Sequence, residues 1–186
     1  MKTRIARRIG DAAAARLHCT LVRGALEAAR AARCGPVELH VTGRHAFFRT
    51  LGVRVRLQRG ADLGSRIYRA LARQRRAIVI GADAPALMPA DIARAARLLQ
   101  GGTQLVLAPA EDGGYALIAA RRVTPALFSA VEWGSTQVLA QTLHNAARAG
   151  LRCKLLRTVW DVDRTEDLER LRARRFSLAR QRRARR

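Results

Sequence analysis

The chain has 186 residues, the length of one ordinary domain, and carries a formal net charge of +22. It has no run of about 18 apolar residues, and its three cysteines lack metal-binding or disulfide spacing. The sequence therefore argues against a membrane-spanning protein, a zinc protein and a disulfide-stapled secreted domain. We expect a cytoplasmic protein with a single domain over residues 1–171 and an arginine-rich tail over residues 172–186.

The positive charge also suggests nucleic-acid binding, because basic side chains that neutralise phosphates release counterions. Of the 36 basic residues only Lys2 and Lys154 are lysine, a bias that a GC-rich coding sequence also produces. Nine of the 17 residues from 170 to 186 are arginine. Aromatic residues make up 4% of the chain, which argues against a base-stacking platform. We interpret the tail as a solvated end and keep nucleic-acid binding as the alternative.

Apolar periodicity predicts helices and strands that alternate along the chain. The predicted helices cover residues 11–32, 62–76, 89–99 and 137–149, and Thr165 is the expected N-cap of a last helix. The predicted strands cover residues 37–41, 53–57, 77–80, 105–107 and 115–118. This alternation indicates a three-layer α/β domain with a doubly wound, mainly parallel sheet. Ligands are expected outside the carboxyl ends of its strands.

Acidic residues, which are scarce in this chain, follow two of the predicted strands. Asp83 comes directly after the strand 77–80, where it either serves a functional site or caps a turn. The segment Glu111-Asp112-Gly113-Gly114-Tyr115 joins the next two strands. Its glycines allow close approach of a ligand and its carboxylates can bind sugar hydroxyls, a metal or a proton, although Asp-Gly is also a hairpin signal.

A third acidic element is Asp161-Val162-Asp163. In an extended segment the two aspartates point to the same side, where they can share a hard cation such as Mg²⁺ with substrate phosphates. At the other end of the chain, Lys2, Thr3 and Arg4 carry positive charge and a hydroxyl donor that suit a diphosphate.

Taken in order, six stretches of the chain resemble the CofC-like glycosyltransferases associated with radical-SAM and selenodomain proteins, a DUF2064-type group linked to arsenosugar biosynthesis. The matching stretches are residues 2–6, 58–66, 81–85, 111–115, 133–136 and 161–163.

The resemblance implies a GT-A type fold and a transferase that uses a nucleotide-activated sugar and a small-molecule acceptor. It implies Mg²⁺ or Mn²⁺ between the nucleotide phosphates and Asp83, Asp161 and Asp163. Glu111 and Asp112 would then face the sugar or acceptor as catalytic residues. Lys2, Thr3, Arg4, Gly113 and Gly114 would contact the nucleotide.

Two other functions are open, and so is the oligomeric state. The related phospholactate guanylyltransferases imply nucleotidyl transfer from a nucleoside triphosphate to a small phosphorylated acid. An inactive relative that binds nucleic acid is the third reading. In the family a strand and a Pro/Gly-containing loop precede the Lys-Thr-Arg motif, whereas here Met1 precedes Lys2 directly. We therefore expect a shortened chain with a gap in the middle of its sheet.

Overall fold

The computed structural model describes residues 3–173, with side chains from Ile5 onward. The predicted contacts of Lys2 and the predicted tail beyond residue 173 lie outside this range. The helices are α1 (Thr3–Ile9), α2 (Asp11–Ala31), α3 (Ala46–Arg49), α4 (Leu63–Leu71), α5 (Pro89–Gln100) and α6 (Val138–Arg148). The strands are β1 (Glu38–Val41), β2 (Arg54–Leu57), β3 (Ala77–Ile80), β4 (Leu105–Pro109), β5 (Tyr115–Ala120) and β6 (Cys153–Leu155). A short 3₁₀ helix covers Pro125–Phe128, and residues 166–173 are helical.

The main sheet has four strands in the order β3-β5-β4-β6. β4 pairs in parallel with β6, whereas β5 runs antiparallel to both β3 and β4. β3, β4 and β6 therefore share one direction and β5 opposes them. The predicted α/β class is confirmed, and the sheet is mainly parallel in direction with β5 as its one antiparallel strand among the described residues. β4 and β5 are joined by a turn of only a few residues, and such a short connection allows only antiparallel pairing.

Side chains of β4 alternate between two apolar clusters, which places helices on both faces of the main sheet. Val106 and Ala108 pack in the cluster that contains buried residues of α5, whereas Leu105 and Leu107 pack with buried residues of α4 and α6. All five β4 residues are buried. Burial on both faces explains why the strand reads as a continuous apolar run, and it confirms the predicted three layers.

β1 and β2 form a separate parallel pair. Among the described residues β1 pairs only with β2, and β3 pairs only with β5. Helix α2 packs on both sheets: Leu26 lies in a cluster with Leu39 of β1, and Ala28 packs against the cluster that includes Ile78 of β3. Within the described residues α2 is therefore a common packing surface for the two sheets.

Several local predictions need correction. Helix α4 ends at Leu71, five residues earlier than predicted, and β6, α3 and the 3₁₀ helix were not predicted. The last helix begins at residue 166, so Thr165 lies at the predicted N-cap position. The carboxylate of Asp167 accepts hydrogen bonds from the amides of Asp163 and Arg164, which precede the helix, at 3.0 and 2.7 Å. No helix within residues 3–173 is long and apolar enough to cross a membrane.

Candidate functional site

An extended segment, residues 159–163, brings the predicted acidic elements together. Its first residue, Val159, lies beside the β4–β5 turn: its amide donates to Pro109 O at 2.9 Å, and its carbonyl accepts from the Glu111 amide at 3.1 Å. Its fourth residue, Val162, is fully buried and donates its amide to Asp83 O at 2.8 Å. Backbone hydrogen bonds thus hold the β4–β5 turn and the loop after β3 against this segment, although they lie about 50 and 80 positions before it in the sequence.

Asp83 lies in the loop that follows β3, as predicted, and is half-buried. Its carboxylate folds back over Gly81: a Cβ atom on Gly81 would lie 2.8 Å from Asp83 Oδ1. Real Cβ atoms almost never approach so closely, so this side-chain position requires glycine two residues earlier. Gly81 therefore leaves room for the Asp83 carboxylate in this position.

Asp161 and Asp163 flank the buried Val162 and are themselves half-buried. This alternation matches the predicted extended segment with both aspartates on one side. We call Asp83, Asp161 and Asp163 the acidic edge. In residues 3–173 no group of three or more acidic, histidine or cysteine side chains is arranged to hold a metal ion. The acidic edge is therefore not a complete protein cage, and the predicted metal-binding roles of Asp83, Asp161 and Asp163 stay predictions.

Carboxylate oxygens are nevertheless the ligands that Mg²⁺ prefers, and this ion commonly takes only one or two of them together with substrate phosphate oxygens. The donor chemistry of the acidic edge fits that mode of binding. A cation there would neutralise nucleotide phosphates beside carboxylates that otherwise repel them.

The start of the chain also reaches the acidic edge. Ile5 of α1 is fully buried in one cluster with Val162 and Leu21 of α2. The backbone of Thr3 and Arg4 begins the same helix, so these predicted residues lie on the element that packs against the 159–163 segment.

The segment Ala110 to Gly114 forms the turn of a β4–β5 hairpin. Ala110 and Gly114 are joined by a backbone hydrogen bond of 3.0 Å, and the Asp112 carboxylate accepts from the Gly114 amide at 2.9 Å. This is the hairpin alternative that the sequence left open. Asp112 and Gly114 thus have a structural role in the turn, and their predicted catalytic and nucleotide-binding roles stay predictions.

Gly113 is required by packing. Its φ is +90°, and a Cβ atom would lie 2.2 Å from the carbonyl oxygen of Thr136. The Gly113 carbonyl in turn accepts the amide of Leu139 in the first turn of α6 at 2.9 Å. Gly113 therefore joins the hairpin turn to the beginning of α6. This contact explains why a glycine is needed here, and the predicted role of Gly113 in nucleotide binding stays a prediction.

Tyr115 begins β5 and points into the core, where its ring makes an edge contact with Trp133 at 6.4 Å between centroids. Its hydroxyl is buried and makes no hydrogen bond of good geometry within the described residues. Burial raises the pKa of Tyr115 to about 12, and the nearby Thr142 hydroxyl offsets this only in part. Tyr115 therefore acts in the core and not as a proton donor near neutral pH.

Glu111 is exposed and forms an ion pair whose partner was not predicted. Arg170 donates two hydrogen bonds to the Glu111 carboxylate, at 2.7 and 3.0 Å, and its guanidinium lies 4.8 Å from the centre of the Trp160 ring. The hydrogen bond from Arg170 lowers the pKa of Glu111 below its usual value. Glu111 is thus held as an anion beside the 159–163 segment.

Arg157 is a second residue that sequence reasoning missed. It donates to both carboxylate oxygens of Asp91, at 3.0 and 2.6 Å, and to Ala86 O at 2.7 Å. These bonds tie the loop after β3 and the start of α5 to the segment that leads into residues 159–163. The geometry is the bidentate arrangement in which arginine binds a carboxylate most strongly.

Comparisons with known proteins agree with this fold. The model of the DUF2064 family, described as an uncharacterized protein conserved in bacteria, matches residues 25–135. A protein of Desulfovibrio desulfuricans G20 with the provisional name of a nucleotide-diphospho-sugar transferase superposes with a TM-score of 0.79 at 28% identity, over 88% of this chain and 76% of its own. The synthetase of CMP-2-keto-3-deoxy-manno-octonic acid, solved with CTP, superposes with a TM-score of 0.58 at 14% identity, over 84% and 88% of the two chains. No curated protein matches the sequence.

Proposed function

Because the chain belongs to the DUF2064 family and has a GT-A type fold, we propose that it is a transferase that uses a nucleotide-activated sugar. The similarity to a protein named as a nucleotide-diphospho-sugar transferase supports the substrate class. In this proposal the acidic edge binds Mg²⁺ or Mn²⁺, which in turn binds the diphosphate of the donor.

One observation carries the proposal: the hydrogen bond of 2.8 Å from the Val162 amide to the Asp83 carbonyl. It joins the backbone of the loop after β3 to the centre of the Asp161–Asp163 segment, which supports a site shared by residues from two distant parts of the chain. Ligands of open α/β sheets bind at the sheet edge beyond the carboxyl ends of the strands.

The other residues have supporting roles in this proposal. Thr3 and Arg4 would contact phosphate from the beginning of α1, and Lys2 would add a further charge. Glu111 and Asp112 would orient the sugar or the acceptor from the hairpin turn. The Glu111 carboxylate is held as an anion by Arg170, so it suits hydrogen bonding to hydroxyl groups better than proton donation.

Nucleotidyl transfer from a nucleoside triphosphate to a small phosphorylated acid is the second candidate. The fold is also that of a synthetase solved with CTP, so the fold alone is compatible with either reaction. Both reactions need neutralised phosphates, and they differ in which bond breaks. Release of a nucleoside diphosphate from a nucleotide sugar would indicate glycosyl transfer, whereas release of pyrophosphate from a triphosphate would indicate nucleotidyl transfer.

The decisive experiment measures binding of nucleoside diphosphates and triphosphates by calorimetry, with Mg²⁺ or Mn²⁺ and with EDTA. We expect binding that depends on the metal and is lost in Asp83→Asn and in Asp163→Asn. Asp83→Asn should leave the melting temperature nearly unchanged, because removing one of several neighbouring carboxylates relieves repulsion. Glu166→Gln, which removes an exposed carboxylate outside the acidic edge, is the matched control and should bind as the wild type does.

Nucleotide binding of equal strength in Asp83→Asn and wild type would refute the role of the acidic edge. Binding of RNA that is sensitive to salt and independent of metal, without binding of nucleotides, would favour the nucleic-acid-binding relative instead.

A further inference from the structure

A second concave site lies at the opposite end of the main sheet, independent of the proposed function. It is a cavity of about 540 Å³, and we call it the arginine basin. Its lining residues are Arg75, Arg76, Gly102, Gln104, Arg121, Arg122, Leu151 and Arg152. The volume falls within the range typical of small-molecule sites.

The topology places the arginine basin away from the acidic edge. The residues that line it come directly before β3, β4 and β6 and directly after β5. In the sheet, Ala77 of β3 is paired with Ala120 of β5, and Leu105 of β4 is paired with both Ala120 and Cys153 of β6. These strand ends are therefore side by side. Asp83 follows the other end of β3, so at least the length of that four-residue strand, about 13 Å at about 3.3 Å per residue, separates the two sites.

The arginine basin has an excess of positive charge with no acidic residue in its lining. None of its five arginines takes part in an ion pair within residues 3–173, where the paired cations belong to other parts of the fold. Like charges in a cavity raise the free energy of the domain unless an anion neutralises them. The missing counter-charge points to an anionic ligand.

The backbone of the arginine basin is fixed by Gln104. Its side-chain oxygen accepts the Arg152 amide at 2.9 Å, its own amide donates to Arg152 O at 3.1 Å, and its carbonyl accepts the Arg121 amide at 3.0 Å. One residue thus connects three loops. Two of the arginines are consequently carried on backbone that is already ordered, which reduces the entropy lost when a ligand binds.

Two guanidinium groups converge above Gly102. A Cβ atom at this position, whose φ is +97°, would lie 3.8 Å from an Nη atom of Arg152 and 3.9 Å from an Nη atom of Arg121. Arg152 also donates to Gly102 O at 3.1 Å, which directs its side chain into this place. The planar fork of each guanidinium group matches the geometry of two phosphate oxygens, and two groups near one point can bind neighbouring phosphates.

We propose that the arginine basin binds a compact polyphosphate, such as inorganic triphosphate or the phosphate chain of a nucleotide. The cavity is lined by no aromatic side chain that could stack on a base, so the phosphates carry the recognition. Its volume suits a small anion better than a nucleic-acid strand, which needs an extended groove.

The test is calorimetric titration of the full chain with sodium tripolyphosphate in the presence of EDTA, which excludes binding through a metal at the acidic edge. We expect binding of one equivalent, weakened about tenfold or more in Arg121→Gln/Arg152→Gln. Arg75→Gln/Arg122→Gln alters the same cavity at two exposed positions and should also weaken binding, so a folding defect in the first variant does not end the test.

The matched control is Arg94→Gln/Arg97→Gln, which removes the same charge from exposed positions of α5. It should bind tripolyphosphate within about twofold of the wild type, since a change in net charge alone has a small effect at physiological salt. Asp83→Asn should also bind normally, so a failure of the proposed transferase function and a failure of this proposal can be told apart.

Equal weakening in the basin and control variants would show general attraction to a basic surface and would overturn the proposal. It would also be overturned if an RNA oligonucleotide displaced tripolyphosphate completely while the basin variants retained full binding.

Discussion

Replacement of Gly113 by alanine tests whether this glycine serves packing or a ligand. The φ of +90° at Gly113 costs an alanine about 1–2 kcal/mol. The added methyl group would also lie 2.2 Å from the Thr136 carbonyl oxygen, and moving backbone to relieve such a contact costs about 1–3 kcal/mol more. We expect Gly113→Ala to lower the free energy of unfolding by about 2–5 kcal/mol in total.

Gly134 offers a matched control in the neighbouring loop. Its φ is +89°, nearly the same, but nothing lies within 4 Å of the place that a Cβ atom would occupy. Gly134→Ala should therefore cost only the backbone strain, about 1–2 kcal/mol. Thermal and urea unfolding of both variants isolates the contact with Thr136, which should separate the two melting temperatures by about 2–12 °C. Equal destabilisation would refute the packing role and favour a ligand-binding role for Gly113.

Three further predictions follow from the structure. Tyr115 has a pKa of about 12 in the folded protein and about 10 in the unfolded chain, so the unfolded chain loses this proton first as the pH rises. The free energy of unfolding should therefore fall between pH 10 and pH 12 by up to about 1.4 kcal/mol per pH unit, and the part of this decrease that comes from Tyr115 should be absent in Tyr115→Phe. Asp91→Ala removes the partner of Arg157 and the acceptor for the Met88 amide, so urea unfolding should show a loss of about 1–3 kcal/mol, and an unchanged midpoint would contradict these contacts. Hydrogen exchange should show stronger protection of the backbone amides in β4, which is paired on both sides, than in β3, which is paired on one side within the described residues. Equal protection of the two strands would contradict the division into two sheets.

The position of Asp83 could be predicted because its surroundings have a strong local pattern. Ala77 to Ile80 is a continuous apolar run, and the glycine after it marks the end of the strand. The segment from Asp161 to Asp163 was predicted to be extended because two aspartates alternate with a valine. In the structure this valine is completely buried. Strong periodicity thus located the acidic edge.

The sequence left the direction of β5 open, and the contacts of the arginines were beyond local patterns. An apolar strand buried on both faces reads alike in either direction, and only the short turn before Tyr115 determines that β5 is antiparallel. Arg157 and Arg170 have no local feature that separates them from the other basic residues of so basic a chain. β6 was missed because only Cys153 of its three residues is even half-buried.

The division of the strands into two sheets has a mechanical consequence for the domain. Rows of backbone hydrogen bonds resist both separation and sliding of neighbouring strands, whereas apolar side chains that pack on a shared helix resist separation far more than sliding. Within the described residues the β1–β2 pair is joined to the main sheet through α2 and not through a ladder of strand hydrogen bonds. We therefore expect the β1–β2 pair to shift along α2 more easily than either sheet can be pulled apart.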